Sequence, residues 1–206
     1  MSQINFMKII VFVLLFMPAS ILMAQSFTKG NYLLSGEIGG LTYETNATRI
    51  NDSSWVENSK HTQVLLYPKV GYFVFDQLAI GIEGMIGIEH YTWPNTTSTY
   101  TGYYFQGGLF TRYYVKTGKV SPFLEAGGGL YEIKHLSKIS SGDITSIFKG
   151  SILHGGAGIS IILSEKASLD ATLVYQRLFL GEVDSFNNKE EKTSGPSFRI
   201  GATFFL

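Results

Sequence analysis

The chain has 206 residues, of which 45% are hydrophobic, 14% aromatic and only 16% charged. Its 16 basic and 16 acidic residues cancel, so there is no electrostatic reason to expect a nucleic-acid partner. The sequence contains no cysteine, which excludes a disulfide scaffold, thiolate catalysis and metal sites built on thiolates.

The N-terminal segment has the order of a secretory signal peptide. One positive charge, Lys8, precedes the unbroken apolar run Ile9–Met17. The small residues Ala19 and Ser20 follow, and Ala24 lies just before the first polar stretch. The run is too short for a membrane-spanning helix, which needs about 20 residues. We therefore predict a signal peptide at 1–24 and a mature domain at 25–206, with an uncleaved N-terminal anchor as the alternative. The exact cleavage site stays open, because a cut after Ala24 would have Leu22 three positions from the cleaved bond, where a small residue is usual.

The rest of the chain alternates apolar and polar residues with a period of two, which is typical of strands rather than helices. Turn residues divide this pattern into eight segments. The segments cover roughly 29–43, 61–74, 78–92, 100–116, 120–136, 147–163, 167–180 and 195–206.

Short and long connections alternate between these segments. Tight turns at 75–77, 117–119 and 164–166 follow the second, fourth and sixth segments. Longer polar stretches form the other connections: 44–60, 93–99, 137–146 and 181–194. This order predicts an all-β protein, an eight-stranded antiparallel up-and-down transmembrane β-barrel.

The alternation also indicates which face of each strand points outward. In the eighth segment Phe198, Ile200 and Phe204 share one face, while Arg199 and Thr203 share the other. The bulky apolar set is too large for the narrow interior of an eight-stranded barrel. We therefore predict that the apolar face contacts lipid and the polar face lines the lumen. A soluble, lipocalin-like carrier would need the opposite arrangement.

Charged residues of the polar face fall at similar depths in this barrel. Folding the chain at its tight turns places Lys69 opposite Glu83 and Arg112 opposite Glu125. The sign of the inward charge alternates from strand to strand around the barrel, with Glu83 between Lys69 and Arg112. The sixth strand contributes no charged residue to this order. The predicted lumen ion network comprises Glu37, Lys69, Glu83, Arg112, Glu125, Asp170 and Arg199. Because buried ions need partners, this network predicts a plugged lumen rather than a water-filled pore.

A second polar layer follows from the same turns, on the side of the long connections. Its predicted pairs are Gln63 with Glu89, Gln106 with Tyr131, and His154 with Gln176. Together the two layers predict an interior filled by polar side chains.

Residues that could carry out chemistry are scattered in this pattern. The runs Gly127–Gly129 and Gly155–Gly156 lie inside strands without a following helix, so they are not phosphate-binding loops. The four histidines lie on different strands, without the spacing of metal ligands. We therefore predict no catalytic, cofactor-binding or metal site. The alternative is an outer-leaflet lipid hydrolase in which His135 acts with Ser137 or Ser140.

Two segments, Pro68–Gly81 and Ser121–Tyr131, resemble parts of small bacterial outer-membrane barrels. The mature chain as a whole is similar to the porin-family outer-membrane β-barrel domain, of the OmpX and OmpA-barrel type. This resemblance implies a monomer in a Gram-negative outer membrane, inserted by the outer-membrane assembly machinery. The chain departs from the family's usual aromatic C-terminal residue, since Leu206 follows Phe204 and Phe205.

The role that this architecture predicts is structural or surface-interacting. The connections 44–60 and 181–194 would contact an extracellular ligand, and the outward face would contact outer-membrane lipid. The alternative is a narrow, porin-like conduit for small or hydrophobic molecules, which would need an open lumen. A lipid hydrolase is the third hypothesis and a soluble carrier the fourth.

Overall fold

The computed structural model describes residues 27–51, 54–92, 99–115, 118–139, 142–182 and 190–206. Within these ranges all regular secondary structure is β-strand. The strands are β1 Tyr32–Asn51, β2 Ser54–Phe75, β3 Leu78–Thr92, β4 Thr99–Tyr114, β5 Val120–Ile139, β6 Gly142–Ser164, β7 Ala167–Glu182 and β8 Glu190–Phe205. The described residues contain no helix long and apolar enough to cross a membrane. The signal peptide predicted at 1–24 lies outside them.

The eight strands form one closed barrel in which each strand pairs with its neighbours in sequence. All pairings are antiparallel, and β1 closes the barrel by pairing with β8. The register across the short turns also follows the predicted fold lines. Lys69 lies opposite Glu83 in the β2–β3 ladder, and Arg112 lies opposite Glu125 in the β4–β5 ladder. The predicted fold class is confirmed.

Several polar segments predicted as loops are largely strand. β1 continues to Asn51 and β2 begins at Ser54, so 44–60 is mostly a β-hairpin. In the same way β5 and β6 meet within 137–146, and β7 and β8 both extend into 181–194. The loop boundaries were wrong because apolar alternation disappears where both faces of a hairpin meet water, although the backbone ladder still forms.

The outward face of the barrel carries a belt of exposed, large apolar side chains. The belt includes Tyr32, Ile38, Val70, Tyr72, Ile80, Ile82, Phe105, Leu109, Leu124, Leu130, Leu153, Ile159, Leu169, Leu173, Phe198 and Ile200. Soluble monomers rarely expose contiguous apolar patches larger than a few hundred Å². A closed sheet with this outer surface spans a lipid bilayer, so the predicted orientation of the two faces is confirmed.

The segment before β1 folds back across the short-turn end of the barrel and inserts Phe27. The Phe27 ring stacks on Tyr114 with 4.1 Å between ring centroids and meets Phe205 edge-on at 5.1 Å. The backbone fixes the same turn, because the Gln77 amide donates a hydrogen bond to the Phe27 carbonyl at 2.7 Å. Phe27 is only 4% exposed, so it closes this end of the interior.

Replacing Phe27 with alanine should release this turn without unfolding the barrel. Burying a Phe side chain contributes about 1.5–3 kcal/mol, so the Gln77 amide should exchange its hydrogen at least about tenfold faster. Hydrogen exchange of the protein in detergent micelles measures this. The matched control is Tyr32→Ala in the same region, where the ring is 55% exposed. Equal acceleration in both variants would contradict a role for Phe27 in holding the turn.

Candidate functional site

Buried charges converge inside the barrel, which makes its interior the candidate site. The interior has three layers along the barrel axis. The aromatic layer, nearest the short turns, consists of Phe27, Leu33, Phe73, Ala79, Phe110, Tyr114, Phe123 and Phe205. The central ionic cluster consists of Glu37, Lys69, Arg112, Glu125 and Asp170. The apolar layer, toward the long connections, consists of Leu65, Tyr67, Met85, Tyr131, Ile133, Ile152, Leu178 and Leu180.

The expectation of a wholly polar interior was therefore wrong at both ends of the barrel. Large apolar residues occupy inward positions in the aromatic and apolar layers. Near the strand ends such residues occur on both faces, so a period of two no longer distinguishes lumen from lipid there.

The ionic cluster holds three carboxylates around two cations. The Lys69 Nζ lies 3.1 Å from a Glu37 oxygen and 2.5 Å from a Glu125 oxygen. The Arg112 guanidinium donates to Glu37 at 2.5 Å, to Glu125 at 2.7 Å and to Asp170 at 2.8 Å. All five side chains have no exposed surface. These contacts join β1, β2, β4, β5 and β7, so the cluster crosses the whole lumen.

Hydroxyl groups complete the coordination of Asp170. Ser160 and Ser168 donate to one carboxylate oxygen at 2.7 and 2.9 Å, and Thr203 donates to the other at 2.7 Å. Ser160 lies directly opposite Asp170 in the β6–β7 ladder. It therefore occupies the place in the sixth strand where the sequence analysis left a gap. The sequence contains the information needed to find Ser160, namely its inward position and its distance from the third short turn. The prediction considered charged residues alone and therefore overlooked it.

Glu83 has partners other than the predicted ones. Its Oε1 accepts a hydrogen bond from the Gln106 amide at 3.0 Å and lies 2.5 Å from the His154 Nε2. The prediction that its carboxylate bridges Lys69 and Arg112 was wrong. An eight-stranded lumen is narrow enough for side chains from opposite walls to meet, so Lys69 reaches Glu125 and Arg112 reaches Asp170 across the barrel. Each cation also binds its predicted neighbour on an adjacent strand, Lys69 with Glu37 and Arg112 with Glu125.

Arg199 also departs from the predicted ring of alternating charge. Its guanidinium carbon lies 3.8 Å from the centroid of the Tyr67 ring, and its Nη2 donates a long hydrogen bond, 3.4 Å, to the Gln176 side chain. Its Nε and Nη1 are buried without a hydrogen-bond partner. Among the described residues no carboxylate lies within 4 Å of it.

The second polar layer has the predicted register. The ladders pair Gln63 with Glu89, Gln106 with Tyr131, and His154 with Gln176. The side chains do not form one layer, however. Gln106 and His154 bind Glu83, Gln176 binds Arg199, and Tyr131 belongs to the apolar layer. Glu89 instead accepts from Tyr104 and lies 2.7 Å from the His61 Nε2.

Two arrangements bear on chemistry. Glu83, Glu125 and His154 place one possible ligand atom each within 4.8 Å of one another. Both Glu125 oxygens already accept from cations, however, one from Lys69 and one from Arg112. A metal ion would have to displace these cations, so the arrangement is better described as an ion-pair network than as a metal centre.

His135, the residue of the hydrolase hypothesis, packs between aromatic rings. The Tyr100 ring lies 4.9 Å from its ring and the Phe148 ring 5.2 Å from it. Ser140 lies outside the described residues. Aromatic packing therefore contributes to holding the imidazole in place.

Comparison with known proteins supports the architecture at the level of fold. No protein-family model matches the chain, and no curated protein sequence matches it. The chain is similar to the outer membrane protein OprG from Pseudomonas aeruginosa, with 13% identity and a TM-score of 0.50 over 89% of this chain and 99% of that one. At this identity the similarity establishes a common fold and nothing about activity.

Two further solved structures align over most of their length. Neisserial surface protein A is 17% identical, with a TM-score of 0.44 over 86% of this chain and 97% of that one. The attachment invasion locus protein Ail of Yersinia pestis is 12% identical, with a TM-score of 0.45 over 87% and 100%.

The predicted resemblance to small outer-membrane barrels is thus confirmed for the fold. The closed barrel and its apolar belt, taken together with this resemblance, identify the chain as an outer-membrane β-barrel.

Proposed function

We propose that this outer-membrane β-barrel is a non-conducting scaffold with a structural or surface-interacting role, which presents its long hairpins outside the cell. The observation that carries the proposal is the ionic cluster. Its five side chains are fully buried, and its contacts extend from β1 to β7 across the lumen. The aromatic layer lies next to it on the short-turn side. Water and ions would have to break several charge-assisted hydrogen bonds to pass.

The purified protein should therefore show no stable conductance steps in planar bilayers. A general porin inserted in the same bilayer is the positive control. The double variant Glu37→Ala/Arg112→Ala removes one anion and one cation from the ionic cluster, and it should produce leak that the unmodified protein lacks. Reproducible conductance of the unmodified protein would contradict the proposal and favour a conduit.

The β1–β2 hairpin supports the surface-interacting part of the proposal. Within the described ranges, β2 pairs with β3 as far as Lys60, which lies opposite Thr92. Beyond Asn46 and Ser59 the strands β1 and β2 pair with one another. At about 3.3 Å per residue, this hairpin extends roughly 20 Å past the end of the β2–β3 ladder. A projection of this kind is suited to contact an extracellular ligand.

A binding screen tests this part directly. Cells that display the protein are compared with cells of a strain lacking it, on a panel of immobilised glycans and extracellular proteins. One variant replaces 46–59 with a two-residue turn, and a control variant shortens 183–189 to the same turn. We expect a ligand retained by the unmodified strain to be lost on hairpin removal. Identical binding by the deletion strain would refute a surface-interacting role.

A narrow conduit for small or hydrophobic molecules is the second candidate function. The apolar layer favours it, because the outer half of the interior is lined by residues such as Leu65, Ile152 and Leu178. The ionic cluster below this layer opposes passage to the other side. The conductance and leak measurements above distinguish the two functions for polar solutes.

A further inference from the structure

We propose that Arg199 forms the anion-binding end of a site for a long-chain carboxylate, entered from the outer leaflet between β1 and β8. Arg199 is 1% exposed, and its Nε and Nη1 have no hydrogen-bond partner. Arg112 lies in the same interior and binds three carboxylates. A buried guanidinium without a counter-ion is costly, so a bound anion would offset a penalty that the folded protein alone leaves in place.

Arg199 is held in a fixed position at the inner edge of the apolar layer. Its guanidinium stacks on Tyr67, a member of that layer. Gly39, its partner in the β1–β8 ladder, makes this approach possible. A Cβ atom on Gly39 would lie 3.1 Å from the Arg199 Cγ and 3.2 Å from the Tyr67 ring. The cation is therefore positioned by its surroundings, with two nitrogens left to donate.

Open space lies farther along the same inward face of β8. Gly195 lies four residues from Arg199 and opposite Gln176, the side chain that contacts the guanidinium. A Cβ atom built on Gly195 meets nothing within 4 Å. Other inward glycines, such as Gly81 and Gly201, meet backbone atoms of the neighbouring strand. The interior thus has room opposite Gln176 that it lacks near the ionic cluster.

The barrel wall provides an entry beside this space. The β1–β8 ladder runs only from the Leu33–Phe205 pair to the Gly39–Arg199 pair. Among the described residues, the rest of β8 pairs with β7 alone, and the rest of β1 pairs with β2 alone. Gly40 follows with a φ of +60° at a break in the β1–β2 register, which turns β1 away.

The strands β1 and β8 begin to separate at the level of the apolar belt. Phe198, adjacent to Arg199, points outward and is 62% exposed. The edge between β1 and β8 therefore opens where lipid chains meet the outer interface.

The unpaired guanidinium, the apolar layer and the narrow interior together indicate which class of ligand the site would bind. One unpaired guanidinium complements a single negative charge and binds a carboxylate by charge-assisted hydrogen bonds. The apolar layer beside it favours a hydrocarbon chain over a small hydrated anion. An eight-stranded interior is narrow, so one chain fits better than the several chains of a membrane lipid. A free fatty acid has these three properties.

Titration of the full-length protein in uncharged detergent micelles with palmitic acid tests the proposal. We expect saturable binding that Arg199→Met weakens by about 10- to 100-fold, the loss expected for hydrogen bonds to a charged group. Gly195→Phe fills the open space and should weaken binding to a similar degree while Arg199 stays in place. The matched control is Arg177→Met, which removes an exposed cation from the outward face of β7 and should bind as the unmodified protein does.

Three chemical controls define the ligand class. Hexadecanol carries the chain without the charge, and acetate carries the charge without the chain, so both should bind at least about tenfold more weakly than palmitate. Dodecyl phosphate tests a phosphate headgroup. Equal or tighter binding of hexadecanol or dodecyl phosphate would overturn the assignment to a carboxylate, and so would equal palmitate affinity of the Arg199→Met variant.

A stability measurement keeps the test independent of folding defects. Because no carboxylate of the described part of the chain pairs with Arg199, Arg199→Met should leave the denaturant midpoint unchanged or raise it. Palmitate should raise the midpoint of the unmodified protein and not that of the variant. A variant that is destabilised without palmitate would show that Arg199 is satisfied by the protein itself, which would refute the proposal.

Discussion

Replacing Arg112 with methionine should lower the free energy of unfolding by about 3–5 kcal/mol, the cost of removing one partner from a buried ionic network. The substitution leaves Glu37 and Glu125 with Lys69 alone and removes the cation that binds Asp170. It also removes the packing of the guanidinium on Phe123, whose ring centroid lies 4.3 Å away. Denaturant titration of the protein refolded into lipid vesicles measures the change.

The control for this prediction is Lys149→Met. Lys149 pairs with Glu132 at 3.3 Å, but their side chains are 59% and 41% exposed. Exposed pairs contribute about 0.2–1 kcal/mol, so the midpoint should hardly move. Similar small losses in both variants would show that the ionic cluster does not stabilise the barrel.

Gly81→Val, beside the aromatic layer, should be a strongly disruptive change. A Cβ atom on Gly81 would overlap the Val70 carbonyl and Gly71 Cα of the neighbouring strand, and would lie 2.8 Å from the Phe110 ring. Backbone atoms in a closed ladder cannot move aside singly, so we expect a loss of about 3 kcal/mol or failure to close. Heat-modifiable migration on gels reports closure, and denaturant titration reports stability.

Gly107→Val is the matched control for this second substitution. Gly107 also lies within a strand, but a Cβ atom there meets nothing within 4 Å. Valine suits a strand better than glycine does, by up to about 1 kcal/mol, so this variant should be at least as stable as the unmodified protein. A barrel that tolerates valine at Gly81 as readily as at Gly107 would contradict the packing described here.

The outcome at Glu83 illustrates the limit of sequence reasoning about the interior. Its strand, its inward direction and its register against Lys69 all follow from the turn and the alternation. Its actual partners, Gln106 and His154, lie one and three strands away. Register describes neighbouring strands only, whereas contacts across a lumen depend on how the sheet curves and tilts as it closes.

The sequence by itself determined the barrel, the pairing of its short hairpins and the division between lipid and lumen. These follow from local features, because turn length and a period of two constrain each strand only against its neighbours. The tertiary structure alone decided which charges meet across the lumen. Closure of the sheet brings Lys69 to Glu125 and Arg112 to Asp170 across the interior. It also leaves Arg199 against Tyr67, with no carboxylate of the described residues within 4 Å. Long side chains on a curved wall pair by distance through space as well as by the order of the strands.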